Sequence, residues 1–410
     1  MRSLVAALVV AVGLQPPGPA GAQSLSDRIA RVRDGTVRLS FATRPTVCGD
    51  GQFIGFDLPD AFYQYSSGND GYSVNVLRDV TPECRGGPLR LVVVKLGGRV
   101  AELRAAVGVS WRASATAVDL GTVAAPEAAD WLVGQAERAD DGVARIGLLA
   151  AAAADSARIA GRVLALVQNR RLPVALRERA IRWSAVIAGA EGRGDDVDRL
   201  LRDLAGDAAE PVGLRERAVR DLRPTGENRA HLKALYGSVG ETSLRERILR
   251  EVASGGGAAE VAWLRGIALD SREAVGLRDR AIRLLAERGQ VGYLRELYPR
   301  LDRIELRERV VRSVAEGQDG EAAAWLERIV LDEGESPALR DRAVRSLAEQ
   351  GRSSVALAAL YDRLASTALK QRLIRLLSER RDEAAAEKLA RIADGDRDPG
   401  LRSEAARRRK

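Results

Sequence analysis

The chain has one histidine, His231, and two cysteines, Cys48 and Cys84. That scarcity excludes a good deal of chemistry before any motif is sought. A structural zinc site built of Cys and His lacks its ligands, and so does a metal held by several imidazoles. No phosphate loop, Gly-x-Ser-x-Gly elbow or His-Glu-x-x-His pair occurs. His231 sits alone in the helical stretch Asn228–Tyr236, where an ordinary structural histidine is the simpler reading than a catalytic one. An enzyme is therefore not expected, and neither a cofactor nor a metal is implied.

Long apolar runs are missing too. The most apolar internal stretch, Gly147 to Val167, is broken by Asp155, Arg158 and Arg162, a heavy charge load for a lipid interior. It reads as two helices joined by a turn. Lysine is confined to Lys95, Lys233, Lys370, Lys388 and Lys410, so nearly all of the basic charge is arginine. The bias of a GC-rich genome accounts for that excess as readily as function does.

What is present is 410 residues, 46% hydrophobic and 30% charged, with a formal charge of +8. This suits a chain that builds cores, with room for two or three domains. Residues 1–22 read as a secretory signal peptide. Arg2 precedes the apolar run Leu4–Leu14, a Pro-Pro-Gly-Pro break follows, and Ala20-Gly21-Ala22 offers a cleavage site before Gln23. A retained anchor is the alternative, but the run is far shorter than the ~20 residues a span requires. The mature protein is expected in the periplasm or secreted. In that setting Cys48 and Cys84 are most simply a disulfide, with two free buried thiols as the alternative.

Residues 23–115 have the texture of a small β-rich module. Gly35–Arg44 alternates apolar and polar residues, and Gln52–Leu58 and Tyr72–Leu77 do so less cleanly. Pro88–Leu96 and Arg99–Val107 flank Gly97-Gly98, a two-residue hairpin signal. Between the cysteines, Tyr63, Tyr65, Ser66, Ser67, Gly68, Asn69, Asp70 and Tyr72 read as a surface loop. Its tyrosines are of the kind used in recognition.

From about residue 124 the chain repeats. A segment Leu-Arg-acid-Arg-apolar-apolar-Arg begins at Leu176, Leu214, Leu244, Leu277, Leu306 and Leu339, with weaker copies at Leu369 and Leu401. From Leu214 on, the copies lie 29 to 33 residues apart, the period of a stacked helical hairpin. Alternate intervals carry Leu-Tyr, at Tyr236, Tyr298 and Tyr361, or Trp-Leu, at Trp263 and Trp325. Asp207, Asp270, Asp332 and Asp394 each stand seven residues before a motif leucine. Such a turn aspartate can cap the next helix or accept from the motif arginine. About nine hairpins of two alternating types are predicted. Within the motif, Leu277, Ala281, Ile282, Leu284 and Leu285 share one helical face, and Asp279 and Arg283 form an acid-first pair.

The features Asp270…Leu277-Arg278…Ala281…Leu284-Leu285, and Asp332…Leu339-Arg340…Ala343…Leu347, resemble the HEAT-repeat superfamily. Its short bacterial branch, similar to the repeats of bilin lyases, is the nearest in pattern. The resemblance covers residues 124–410 and implies a mainly α fold: an α-solenoid of about nine two-helix repeats after the small β module. It also implies a binding surface or scaffold.

Two functions follow from this reading. In the first, the chain is an exported, non-catalytic scaffold that binds a protein partner through its helical-repeat surface. The second helices of such a stack line its concave side. Arg177, Arg215, Arg245, Arg278, Arg307 and Arg340 would then form a candidate groove for an acidic or extended protein segment. The competing view of these arginines is that they pair with neighbouring carboxylates. The second function is a lyase-like enzyme or small-molecule binder, as the bilin-lyase resemblance suggests. Nucleic acid is not an expected partner, because arginine alternates with acid throughout the motifs rather than clustering.

Overall fold

The computed structural model describes residues 23–58, 61–68, 71–77, 83–110, 114, 116–138, 140–317 and 320–409. The leader read in residues 1–22 lies outside the described residues. The described chain up to Leu200 makes one compact unit, and the chain from Leu201 onward makes another.

In the first unit a short helix, α1 (Leu25–Ala30), precedes β1 (Gly35–Phe41), β2 (Val47–Gly49), β3 (Phe53–Leu58), β4 (Ala61–Gly68), β5 (Gly71–Leu77), β6 (Leu89–Leu96), β7 (Arg99–Ala106) and β8 (Ala117–Thr122). They form two four-stranded sheets, ordered β7-β6-β1-β8 and β2-β3-β4-β5. Period-two alternation sets the register of the first. Val37, Leu39 and Phe41 lie opposite Val93, Leu91 and Leu89, and all six are buried. The β6–β7 turn falls on Gly97 and Gly98 at φ +57° and +78°, a conformation that costs glycine little. The second sheet is an antiparallel meander.

Cys48, on β2, is joined to Cys84 with a Cα–Cα distance of 5.5 Å. Next to this disulfide, Gly49 and Arg85 exchange a pair of backbone hydrogen bonds of 3.0 and 2.9 Å.

The tyrosine-bearing loop expected between the cysteines is instead the hairpin of β4 and β5, which pairs Tyr63 with Val76 and Tyr65 with Val74. The alternation of tyrosine and valine is strand texture, which the intervening Ser and Gly conceal. Asn69 and Asp70 lie outside the described residues. Tyr65 is not displayed for recognition. It is 6% exposed and lies 5.0 Å from Trp183 and 5.6 Å from Phe56, ring to ring.

Trp183 belongs to the helices that follow: α2 (Ala125–Ala136), α3 (Asp141–Ala153), α4 (Ala160–Gln168), α5 (Val174–Ala190) and α6 (Gly194–Gly206). It seals the second sheet against α5, while β7 runs along α3. The Glu191 carboxylate accepts from the backbone of Ile159 and Ala160 at the start of α4. The sheets thus share a core with the first helices, and β8, which pairs with β1, lies wholly beyond residue 115. The change of texture there does not mark a break in packing.

The second unit continues with α7 (Val212–Asp221), α8 (Gly226–Ser238), α9 (Thr242–Ala253), α10 (Ala258–Leu269), α11 (Val275–Glu287) and α12 (Val291–Leu297), the last extended by the turn Tyr298–Arg300. It ends with α13 (Ile304–Glu316), α14 (Gly320–Leu331), α15 (Pro337–Glu349), α16 (Ser354–Arg363), α17 (Thr367–Ser378), α18 (Glu383–Gly395) and α19 (Pro399–Arg408). From α2 to α19 the described helices fall into nine consecutive pairs. In this unit the odd-numbered helices, which carry the motif, pack each on the next from α7 to α19.

The motif shows why. Leu277, Ala281, Ile282, Leu284 and Leu285 are each at most 3% exposed, and the small Ala281 lets a neighbouring helix approach. Asp279 pairs with Arg283 at 3.0 Å on its own helix and with Arg309 of α13 at 2.6 Å. Asp341 repeats this with Arg345 at 3.2 Å and Arg372 of α17 at 2.7 Å. No described helix is long and apolar enough to cross a membrane.

Candidate functional site

The six motif arginines fall into two structural classes, which alternate along the chain from Arg215 onward. Arg177, Arg215 and Arg278 are only 2–3% exposed. Each donates from Nε to a carbonyl ten residues earlier, near the end of the preceding helix: Val167 at 2.7 Å, Ala205 at 3.0 Å and Ala268 at 3.0 Å. The motif arginine thereby satisfies a helix C-terminal carbonyl that has no partner within its own helix. The far end of Arg215 meets Glu241 at 2.5 Å, and that of Arg278 meets Asp302 at 2.6 Å. Hydrogen bonding by Arg278 holds the Asp302 carboxyl below the usual carboxylate range. Buried in this way, the three arginines offer a partner no surface. Arg340 makes the same Nε bond, to Val330 at 2.9 Å, but is only part-buried.

Arg245 and Arg307 work differently. Each guanidinium lies over a tyrosine ring, 4.3 Å from the centre of Tyr236 and 4.4 Å from that of Tyr298. The tyrosine hydroxyl donates to a carboxylate in the next pair: Tyr236 to Glu273 at 2.9 Å, and Tyr298 to Glu335 at 2.8 Å. Arg245 and Arg307 pair with those same carboxylates. The carboxylates also accept from the backbone that opens the next helix, at Ala274 (2.8 Å) and Ser336 (2.7 Å). Trp263 and Trp325 close each cluster edge-on, both at 5.2 Å from the tyrosine. Burial, then the hydrogen bond to the acid, pushes both tyrosine hydroxyls well above their ordinary pKa. A third copy uses Tyr361, Asp396 at 2.8 Å, and Lys370 and Lys388 over the ring.

Three of the four turn aspartates stabilise their own turns. Asp207, Asp270 and Asp332 each accept from a backbone N–H two residues on, at 3.0, 3.0 and 2.9 Å. Asp394 instead lies in the last turn of α18 and pairs with Arg409 at 3.7 Å, while Asp396 makes the equivalent turn bond, to Asp398 at 2.9 Å. Glu273 and Glu335, which do the inter-pair work, were not singled out by sequence reasoning. The signal was there: each stands three residues after a turn aspartate and 37 after its tyrosine.

Two openings in the second unit flank this framework. A cleft of about 710 Å³ lies between α12 and α14, lined by Arg295, Tyr298, Arg307, Trp325, Arg328 and Asp332 among others. A cavity of about 290 Å³ lies between α15 and α17, walled by Pro337, Arg340, Ser366, Leu369, Arg372 and Arg375 among others. His231 stands apart from both, with its Nε2 buried and unbonded. Among the described residues no group of three or more His, Cys, Asp or Glu side chains is arranged to hold a metal ion.

No family model matches the chain, and no curated protein does. Among solved structures, it is similar to human deoxyhypusine hydroxylase in complex with glycerol, at 18% identity and a TM-score of 0.28 over 54% of this chain and 86% of that one. It is also similar to lipovitellin, solved for its lipid–protein interactions, at 10% identity and a TM-score of 0.41 over 92% of this chain and 44% of that one. A computationally designed self-assembling cyclic homooligomer matches at 13% identity and a TM-score of 0.10. None of these superpositions is close enough for a function to follow from it.

Proposed function

We propose that the chain is an exported, non-catalytic scaffold of HEAT-like repeats, periplasmic or secreted, that binds a protein partner through its helical-repeat surface. The observation that carries this reading is the repetition of one Tyr–acid–cation cluster. The copies at Tyr236, Tyr298 and Tyr361 use the same kind of contact from one pair to the next. What recurs along the chain is thus a set of ties that hold helix pairs in register, and a rigid run of pairs is what a binding surface requires. The recurring ionisable groups are engaged with one another, which leaves the faces of the pairs as the part that varies.

The test is in-cell photocrosslinking with the full chain, carrying the photoreactive residue in turn at Val355, Tyr293 and Arg328, followed by mass spectrometry. These side chains are exposed on first helices of the second unit. The scaffold reading expects the same exported protein to be captured at neighbouring positions and lost when the repeats are unfolded. A bound small molecule with no protein adduct, or turnover that depends on His231, would replace it with the lyase-like alternative.

A further inference from the structure

Along one series of junctions the buried motif arginine is met by an acid from the next pair: Arg215 by Glu241, and Arg278 by Asp302. The acids fall 26 and 24 residues after their arginines. Arg340 is the next member, with the same Nε bond to the end of the preceding helix. The corresponding stretch after it is Leu364-Ala365-Ser366, which contains no acid. The substitution is positional: Glu241 occupies the N-cap of α9, and Ser366 occupies that of α17. Among the described residues Arg340 makes no ion pair, and it lines the cavity of about 290 Å³.

The walls of that cavity fit an anion on an otherwise apolar stem. Three arginines line it, Arg340, Arg372 and Arg375, against a single acid, Asp341. Asp341 is already shared by Arg345 at 3.2 Å and Arg372 at 2.7 Å. Pro337 and Leu369 supply apolar surface beside the charge. The two sibling junctions show which anion suits the place, because each holds a carboxylate there. The planar guanidinium matches that group with two parallel hydrogen bonds.

We propose that this cavity receives an Asp or Glu side chain from an extended acidic segment of the bound protein, completing from outside the ion pair that Glu241 and Asp302 complete from within. This rests on the scaffold reading and assigns one anchor point of its partner.

The experiment uses the full chain and a defined probe, a fluorescein-labelled acetyl-(Ala-Glu)₄-amide peptide, read by anisotropy beside its Gln counterpart. The Glu peptide should bind saturably, and the Gln peptide at least tenfold more weakly. Ser366→Glu places the missing acid within the chain, as Glu241 does naturally, so it should keep or raise the melting temperature and weaken peptide binding at least tenfold. Arg340→Gln should weaken it similarly, and Arg328→Gln, on the other opening, should not. Equal binding to wild type and to folded Ser366→Glu overturns the site, as does equal weakening by Arg328→Gln. The two proposals fail separately. Partner crosslinking that survives Ser366→Glu leaves the scaffold standing without this anchor, whereas peptide binding lost in Ser366→Glu with no partner captured leaves the site without the scaffold.

Discussion

The Tyr298 hydroxyl donates to the Glu335 carboxylate at 2.8 Å across 37 residues of sequence, and the Arg307 guanidinium covers the tyrosine ring while pairing with the same acid. Glu335 is buried, so every donor it loses is hard for water to replace. Tyr298→Phe keeps the ring, its cation contact and its packing on Trp325, and removes one hydrogen bond to a charged acceptor. The expected loss is about 1.5–3 kcal/mol. Tyr236→Phe should cost a similar amount, and the two should add, since they share no partner. Urea unfolding of the single and double variants checks this. Glu335→Gln in the Tyr298→Phe background should cost less than in wild type, the coupling of a true pair.

Arg278 and Arg340 share the Nε bond to the preceding helix but differ in burial, and they should separate in mutants. Arg278 is 2% exposed and joins Ala268 to Asp302, so Arg278→Ala strands the buried Ala268 carbonyl and should cost about 1.5–3 kcal/mol. Arg278→Lys should recover little, because an ammonium on a flexible stem does not reproduce the fork. Arg340→Ala loses one hydrogen bond from a part-buried side chain, and about 1 kcal/mol is expected. Denaturation midpoints at constant m-value give the comparison. Equal costs at the two positions would mean that the deeper burial of Arg278 and its pairing with Asp302 have no energetic meaning.

Opening the Cys48–Cys84 disulfide, which spans 36 residues, should destabilise the first unit by about 3–4 kcal/mol in the chain-entropy picture. The double variant Cys48→Ser/Cys84→Ser removes the link without leaving reactive thiols. Its loss of protection in amide hydrogen exchange should be greatest in β2 and β3. Helices of the second unit, which hold neither cysteine, should exchange as in wild type.

The repeat was legible because it rests on spacing. Leucines and alanines recurring every 29 to 33 residues state where helices face a core, and the nine pairs follow. The Gly97-Gly98 turn was legible for an equally local reason. The β4–β5 hairpin was not, because Ser66, Ser67 and Gly68 imitate loop chemistry and only burial against Trp183 makes a strand of it. The role of the motif arginine was hidden for another reason: an arginine that lines a groove and one that caps a carbonyl ten residues back have the same sequence. The absence of an acid after Arg340 could be read only once Glu241 and Asp302 were seen in place.

His231 provides a pH test that needs no assignment, since the chain has one imidazole. Its pKa in the fold is lowered from 6.5, first by burial and then by the positive charge of Arg202, with Asp203 and a backbone hydrogen bond at Arg202 acting the other way. The unfolded chain therefore takes up a proton near pH 6.5 while the folded chain still resists it. The contribution to stability is fully present above pH 6.5, and it is lost as pH falls from there towards the folded pKa. The imidazole signal of the native protein in proton NMR should titrate with a midpoint below 6.5. The urea midpoint should fall between pH 7 and pH 5.5, and His231→Gln, which has nothing to titrate, should flatten that slope. A native midpoint at or above 6.5 would mean that Arg202 and burial do not govern the site. An unchanged slope in His231→Gln would move the pH dependence to other groups.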